Sequence, residues 1–358
     1  PDPGNKRYDI QIRSGVTEQE LKTAESGTVG RDSKYDEAYL VHQVDGTTYK
    51  TKISTLRGDY RKPDGSIGNR LRLWDRQDFK PRPDDLLQER LYCIEWMRPK
   101  KKGKSYDYEF RAVTPEDLDR ECVVESFIAE HIVEWQEKGW LPDMRIEVGG
   151  PPRYQGLDLI KARGWTHWQN VFNPRQLLVS GLVAKEGNTE LLFGLTQLLN
   201  NNSRVSRWHP GGGGGGLTVG AFDNQALNTL FNYGCRGSQY AASFLAQDYK
   251  HFPIPQTILT QIYASPASQM DAVSHLTITD PPYGDAVKYE EILDFFISWL
   301  RKNPPPEFAD WTWDSRRSLA IQGEGEDFRR QMVAAYKRMA ECMPDNGIQV
   351  VMFTHQSG

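Results

Sequence analysis

The residues of this sequence best suited to chemistry form a short turn, Asp280-Pro281-Pro282-Tyr283. An exocyclic amine of a nucleobase is a poor nucleophile because its lone pair is delocalised into the ring. The Asp280 carboxylate and the Pro281 carbonyl can accept the two amine hydrogens, and the two prolines fix the direction of that carbonyl. The Tyr283 ring offers a flat face to a base flipped out of a duplex. The turn is therefore suited to methyl transfer to a base amine; the alternative is a proline-rich turn whose aspartate caps the next helix.

The residues around the turn predict the elements that hold it. Residues 275–279 alternate as in a β-strand, and apolar residues recur at helical spacing over about 287–302. A strand, a rigid turn and a helix make the geometry of a site at the carboxyl end of an α/β sheet. Another strand is predicted over residues 348–353, followed by His355. For this histidine a structural role is favoured over a place at the mouth of the cleft.

Beyond the turn, several segments together resemble a known family. Asp280-Pro281-Pro282-Tyr283 matches the motif of amino-methyltransferases that act on N6 of adenine or N4 of cytosine. Over roughly residues 160–358 the chain resembles the large adenine-specific DNA methylases of prokaryotic anti-phage gene clusters. The matching segments are residues 280–289, 294–300, 164–168, 172–177, 207–209 and 350–356.

The resemblance implies a fold and a function. It implies an α/β fold: a partial Rossmann-like S-adenosylmethionine-dependent methyltransferase core with an additional mixed α+β segment. The expected activity is methyl transfer from S-adenosylmethionine to N6 of a flipped-out adenine in DNA, in restriction-modification or phage defence. Asp280, Pro281, Pro282 and Tyr283 are the expected catalytic set. Expected partners are DNA and other defence subunits such as an ATPase or a helicase.

The sequence departs from this family in one important respect. The family's donor-binding loop, of the type Asp-Pro-Phe-x-Gly-x-Gly, has no counterpart in these 358 residues. We therefore expect a piece of a longer protein without its donor-binding half, and we assign no cofactor-binding residues. Two alternatives remain open: a tRNA guanine-N2 methyltransferase, whose motif is similar, and a non-catalytic DNA-recognition or scaffold subunit.

Composition limits the class of protein. Lys and Arg number 44 against 48 Asp and Glu, which gives a net charge of −4 and excludes a uniformly basic nucleic-acid-coating protein. No apolar run approaches the length of a membrane span. Four cysteines without Cys-x-x-Cys spacing favour a reducing, cytoplasmic compartment. We predict no metal site, since His167 and His209 show no ligand spacing to a cysteine or another histidine.

Two domains are predicted, residues 1–150 and 151–358, of which the second carries the catalytic turn. The first is expected to be a mixed α+β region that begins with short antiparallel strands over residues 8–60. Its residues 50–104 carry sixteen basic and eight acidic side chains, an excess of +8. Lys100, Lys101 and Lys102 are candidate DNA-phosphate contacts, with a solvated loop as the alternative.

Other segments predict helices and further candidate sites. Thr114 and Asn173, each followed by proline, are predicted to cap helices, and a further helix is predicted over residues 189–200. The apolar positions of the first helix, which include Leu118 and Val123, predict one buried face. Trp165 and Trp168, with Arg175 on a phosphate, are DNA-binding candidates; a core role is the alternative for both tryptophans. Six glycines at 211–216 are interpreted as a surface loop, because no convincing strand precedes them.

Overall fold

A computed structural model provides the structure of the chain. It describes residues 10–25, 29–32, 37–44, 46–100, 106–146, 159–209, 217–221, 229–234, 237, 241–246, 253, 255, 259–282, 289–314, 320–321 and 325–352. Within these residues no helix has the length and apolar character needed to cross a bilayer. The fold is mixed α and β with small sheets.

The N-terminal part forms small antiparallel sheets, as predicted. Its elements are α1 (Glu18–Glu25), β1 (Val29–Asp32), β2 (Glu37–Val44), β3 (Thr47–Lys52), α2 (Ile53–Leu56), β4 (Asp59–Arg61) and β5 (Ile67–Asn69). Strands β1, β2 and β3 form one sheet in that order, and β4 pairs with β5. Residues 10–12 are not a strand as predicted. Helix α1 follows instead, because Thr17 and Glu20 form a reciprocal cap: each side chain bonds the other residue's backbone N–H.

A second sheet is built on a long hairpin. Strands β6 (Arg90–Pro99) and β7 (Tyr106–Ala112) pair antiparallel, and β10 (Leu230–Asn232) adds to β6 in parallel. A shorter antiparallel pair, β8 (Arg207–His209) and β9 (Leu217–Val219), flanks the six glycines in sequence. The expectation that no strand precedes the glycines is therefore wrong, while the glycines themselves lie outside the described residues. A strand rather than a helix follows them, which is not the order of a phosphate-binding glycine loop.

Helices supply most of the core, and their boundaries match the sequence signals. They are α3 (Pro115–Glu137), α4 (Leu159–Arg163), α5 (Pro174–Glu186), α6 (Thr189–Asn201) and α7 (Ala241–Leu245). Thr114 and Asn173 each form the predicted capping box, with proline at the first helical position. The helices predicted from Thr114, from Asn173 and over residues 189–200 are thereby confirmed.

The buried stripe of α3 differs from the predicted one. Ile128, Ile132 and Trp135 are buried as expected, but Leu118 and Val123 are exposed. In the first turns of the helix, acidic residues lie on the inner face instead, and their carboxylates accept hydrogen bonds. Asp117 bonds the cap residue, and Glu121 bonds Arg175. Hydrophobicity alone could not identify these positions.

The motif directly follows the first strand of a parallel pair that is joined through two helices. These elements are β11 (Leu276–Thr279), α8 (Tyr289–Leu300), α9 (Gly325–Glu341) and β12 (Ile348–Val351). Strands β11 and β12 pair in parallel, with Leu276 opposite Ile348 and Thr279 opposite Val351. Strand, helix and second strand were all predicted, and the structure confirms them.

The hydrophobic core joins residues from both sides of position 150. Trp74 and Phe79 share one buried cluster with Trp165 and Phe172, and helices α3, α5, α6 and α8 contribute to it. The division into two domains at residue 150 stays a prediction, and the packing of residues 74–79 against residues 165–172 crosses that boundary.

Candidate functional site

The predicted turn follows β11 directly. Asp280 is exposed, Pro281 is buried and Pro282 is half-buried. The Met352 N–H donates to the Thr279 carbonyl at 2.8 Å, which continues the strand pairing to the residue before the aspartate. Asp280 therefore lies at the carboxyl end of the parallel pair, the edge at which α/β sheets place their ligands. Tyr283 lies outside the described residues.

Helix α8, which follows the turn in the chain, packs into the main core. Phe295 and Trp299, on the inner face of the helix, are almost fully buried. The Phe295 ring lies 5.8 Å from that of Trp168, and the Trp299 ring lies 5.1 Å from that of Phe172. Ion pairs at the end of the helix add to this attachment, since Arg301 and Lys302 both bond Asp143 of the α3–α4 connection. The helix that follows the turn in the chain is thus firmly packed in the core.

One face of the β11–β12 pair is covered and the other is open. Helix α9 covers the first face: Thr277 and Met339 are buried, and Gln349 on β12 donates to the Met339 sulfur at 3.4 Å. Side chains of the opposite face are apolar and exposed. They are Leu276, Ile278, Ile348 and Val350. Parallel strands are normally covered on both faces, so this face is a place where further structure would pack.

Two DNA-binding candidates are core residues. Trp165 is 2% exposed and Trp168 is 6% exposed, so neither ring can stack on a base. Trp165 packs edge-on against Trp74, with ring centroids 6.2 Å apart. The guanidinium of the buried Arg204 lies 5.3 Å from the centre of the Trp74 ring and 5.6 Å from that of Trp165. This burial contradicts base stacking by Trp165 and Trp168 and favours the core alternative, while the DNA-binding prediction for this segment stays a prediction.

The segment around these tryptophans acts as a polar clamp on residues 74–79. The Asn170 amide is fully buried: it donates to the carbonyls of Asp75 and Asp78 and accepts from the N–H groups of Thr166 and His167. The Thr166 hydroxyl donates to a further carbonyl of the same loop, that of Trp74. The three hydrogen bonds to carbonyls of residues 74–79 join groups more than 90 residues apart in sequence. The sequence shows the unusual composition of this segment but does not indicate which groups its side chains bind.

Arg175 is also engaged within the fold. Its Nε donates to a Glu121 carboxylate oxygen at 3.0 Å, and its guanidinium lies 5.4 Å from the centre of the Tyr233 ring. The Tyr233 hydroxyl donates to the second Glu121 oxygen. Burial and the adjacent Glu121 charge raise the pKa of Tyr233, so its hydroxyl stays protonated. These contacts favour a structural role for Arg175 over the predicted phosphate contact.

The basic stretch is neutralised unevenly. Over residues 70–85 two arginines form ion pairs: Arg72 bonds Asp78 and Asp85, and Arg82 bonds Asp75 and Asp78. Farther along, Lys100 is exposed and forms one ion pair, 3.3 Å from Asp107. Lys101 and Lys102 lie outside the described residues. The DNA-contact prediction for these three lysines stays a prediction.

The remaining candidates give no metal site in the part of the chain that the structure describes. His167 bonds the Thr166 hydroxyl through Nδ1, and burial together with nearby Arg145 lowers its pKa, so the ring is neutral near pH 7. His355 lies outside the described residues. Among the residues described, no three His, Cys, Asp or Glu side chains come close enough to hold a metal ion.

Comparison of the chain with family models, curated proteins and solved structures gave no match. The fold and the site therefore define a mixed α and β chain with an exposed aspartate at the end of a parallel strand pair.

Proposed function

We propose that this chain is the target-base part of an S-adenosylmethionine-dependent DNA methyltransferase that acts on N6 of adenine. The observation that carries the proposal is the position of Asp280-Pro281-Pro282 between β11 and α8, at the carboxyl end of the β11–β12 pair. An exposed carboxylate there can reach a base that has left its duplex. The resemblance of the motif to amino-methyltransferases supports adenine as the base.

Each residue of the turn has a separate role in binding the base. The Asp280 carboxylate accepts one hydrogen of the adenine amine, and the Pro281 carbonyl accepts the other. The ring of the buried Pro281 fixes its φ angle, and Pro282 after it restricts its ψ angle, so the carbonyl is oriented before the base arrives. The Tyr283 ring stacks on the base. S-adenosylmethionine supplies the methyl group, and no residue described here is assigned to hold it.

A second, donor-binding part belongs to this proposal. The parallel pair β11–β12, joined through α8 and α9, is the kind of unit from which a Rossmann-like sheet is built. Its open apolar face, with Leu276 and Ile348 side by side, gives the donor-binding part a surface to pack on. In the cell the assembled enzyme would work in the cytoplasm in restriction-modification or phage defence, with subunits such as an ATPase or a helicase.

Nucleoside mass spectrometry tests the proposal. DNA from cells that express the complete gene should contain N6-methyladenine, and the Asp280→Ala variant should contain none. Asp345→Ala is the matched control, because Asp345 is exposed and lies before the amino end of β12, away from the motif. Equal thermal midpoints of Asp280→Ala and wild type would show that the loss is chemical.

Other outcomes would redirect the proposal. No modified adenine in wild type, with N2-methylguanosine in tRNA, would assign the turn to RNA methylation. No modified base in either nucleic acid would favour a non-catalytic recognition or scaffold subunit. Tyr283→Phe should keep the activity and Tyr283→Ala should reduce it, since stacking on the ring is worth about 1–3 kcal/mol. An inactive phenylalanine variant would contradict the stacking role.

A further inference from the structure

Strand β7 forms an open edge of its sheet. The strand order of that sheet is β10–β6–β7, and no strand in the described part of the chain pairs with the outer side of β7. With seven residues, β7 is the longest edge strand that the structure describes, and six of its residues are exposed. An edge strand presents unpaired N–H and C=O groups, so β7 is a template for the addition of another strand.

The backbone groups of alternate β7 residues point out of this edge. The Cys93 carbonyl accepts from the Tyr233 N–H at 3.0 Å, on the β10 side of β6. Cys93 therefore does not exchange backbone hydrogen bonds with Ala112, the residue opposite it on β7. Exchanging and non-exchanging pairs alternate along an antiparallel ladder. The N–H and C=O groups of Tyr108 and Phe110 therefore point outward, as do those of Ala112.

Most of the devices that protect an edge strand from pairing are missing from β7. Its sequence, Tyr-Asp-Tyr-Glu-Phe-Arg-Ala, contains no proline, glycine or lysine, and its register with β6 is unbroken. Strand β3, an edge strand of the N-terminal sheet, is different, because it carries Lys50 and Lys52 and no acidic residue. Two copies of β3 would repel each other, whereas β7 contains charges of both signs.

The charges of β7 are complementary to those of a second β7 that runs antiparallel to it. Glu109 and Arg111 lie on one face of the strand, 2.7 Å apart at their charged groups, and both side chains are more than half exposed. A two-fold axis at Phe110 places Glu109 of each copy opposite Arg111 of the other, and the two phenylalanines opposite each other. Asp107 already pairs with Lys100 of its own hairpin at 3.3 Å. Opposite charges and aromatic rings in directly opposite positions stabilise a strand pair.

We propose that β7 pairs antiparallel with β7 of a second copy of this chain, so that the two three-stranded sheets become one continuous sheet. The outward N–H and C=O groups of the two edges then bond each other. A strand that is complementary to itself gives a closed two-fold dimer, the commonest oligomer of soluble proteins. An extended segment of another protein could also add to this edge, but the match of β7 to itself favours the second copy. The proposal does not depend on methyl transfer.

Analytical ultracentrifugation of the whole chain tests the proposal. Wild type should show a concentration-dependent equilibrium between a monomer of 41.0 kDa and a dimer. Arg111→Glu and Glu109→Arg each place like charges opposite each other in the pair, so each should weaken the dimer about tenfold. Arg329→Glu is the matched control and should have no effect, because Arg329 is an exposed arginine of α9 that pairs with an acidic neighbour on its own element.

Two combinations of these variants identify β7 as the contact. A mixture of equal amounts of the Arg111→Glu and Glu109→Arg variants should form a dimer, because an acidic strand then meets a basic one. The double variant Glu109→Arg/Arg111→Glu should dimerise as wild type does, since the exchange of the two charges keeps the strand complementary to itself. Thermal midpoints equal to that of wild type, measured at a concentration where all chains are monomers, would show that the single variants are folded.

Three results would overturn the proposal. One is a wild-type chain that stays monomeric at the highest concentration tested, which would assign the edge to a strand from another segment or another protein. The second is a dimer that is unchanged in the folded Arg111→Glu and Glu109→Arg variants, because the contact then lies elsewhere. The third is a mixture of the two variants that stays monomeric while wild type dimerises. Methylation at the Asp280 turn is measured separately on nucleosides, so the two proposals fail independently.

Discussion

Replacing Asn170 with alanine tests whether residues 164–172 are a structural clamp rather than a DNA-binding edge. The Asn170 side chain is fully buried and makes four hydrogen bonds to backbone groups. Alanine removes all four and leaves the carbonyls of Asp75 and Asp78 and the N–H groups of Thr166 and His167 without this partner. Two loops distant in sequence then lose two of the hydrogen bonds that join them.

The expected size follows from these bonds. A buried hydrogen bond contributes about 0.5–1.5 kcal/mol net, and a buried group left unbonded costs about 1–3 kcal/mol. Part of the loss is recovered if water enters the space left by the amide. We therefore expect Asn170→Ala to lower the free energy of unfolding by about 3–5 kcal/mol. Asn170→Asp should be at least as damaging, because an oxygen then replaces the nitrogen that donates to two carbonyls.

Urea unfolding followed by tryptophan fluorescence measures this change, since Trp74, Trp165 and Trp168 all report on the clamp. The control is Asn201→Ala, at the end of α6, where the amide makes one exposed bond to Gln197; a change below about 1 kcal/mol is expected there. A stable Asn170→Ala chain that had lost nucleic-acid binding would refute the structural interpretation and restore the DNA-binding one.

Three further predictions concern stability. Burial raises the pKa of Glu95 to about 7, so the folded chain keeps a proton that the unfolded chain releases near pH 4, and stability falls as the pH rises from about 4 to 7. Glu95→Gln should therefore stabilise the chain at pH 8 by on the order of 1 kcal/mol and have little effect at pH 4; equal urea midpoint shifts at both pH values would contradict this. Trp299→Ala should lower the free energy of unfolding by about 3–5 kcal/mol. An unchanged free energy of unfolding, measured by calorimetry, would show that the packing of α8 contributes little to stability. Hydrogen bonds from the backbone and hydroxyl of Thr114 lower the pKa of Asp117, so this aspartate stabilises the fold above pH 4, and that contribution disappears as the pH falls through the lowered pKa. Thr114→Ala should lower the free energy of unfolding by about 1 kcal/mol at pH 7 and make the loss of stability in acid less steep. An acid-unfolding profile with the same steepness as that of wild type would contradict this.

Local signals in the sequence predicted the boundaries of elements well. Thr114 and Asn173 begin helices because a hydroxyl or amide cap and a following proline act within a single turn. The same holds for the strand, turn and helix around Asp280. The cap made by Thr17 and Glu20 has an equally local signal, and attention to it would have predicted α1.

Contacts between distant residues could not be predicted in this way. Nothing near Trp165 or Trp168 indicates that Trp74 and Arg204 enclose this region. The inward face of α3 likewise depends on Arg175, which bonds Glu121 from a helix that begins 53 residues later. The candidate site was therefore predictable as a turn, whereas the roles of the aromatic and charged residues around it required the structure.

The parallel pairing of β11 with β12 also sets an order of events during synthesis. Leu276 and Ile348 are neighbours in the sheet but 72 residues apart in the chain, whereas α5 and α6 are separated by only two residues. Short loops close at lower entropic cost and form early, and distant strand pairs form late. Asp280 therefore leaves the exit tunnel of the ribosome well before β12, the strand that pairs with β11. The turn at Asp280 therefore gains its paired strand only after residue 351 has left the exit tunnel, late in the folding of this part of the chain.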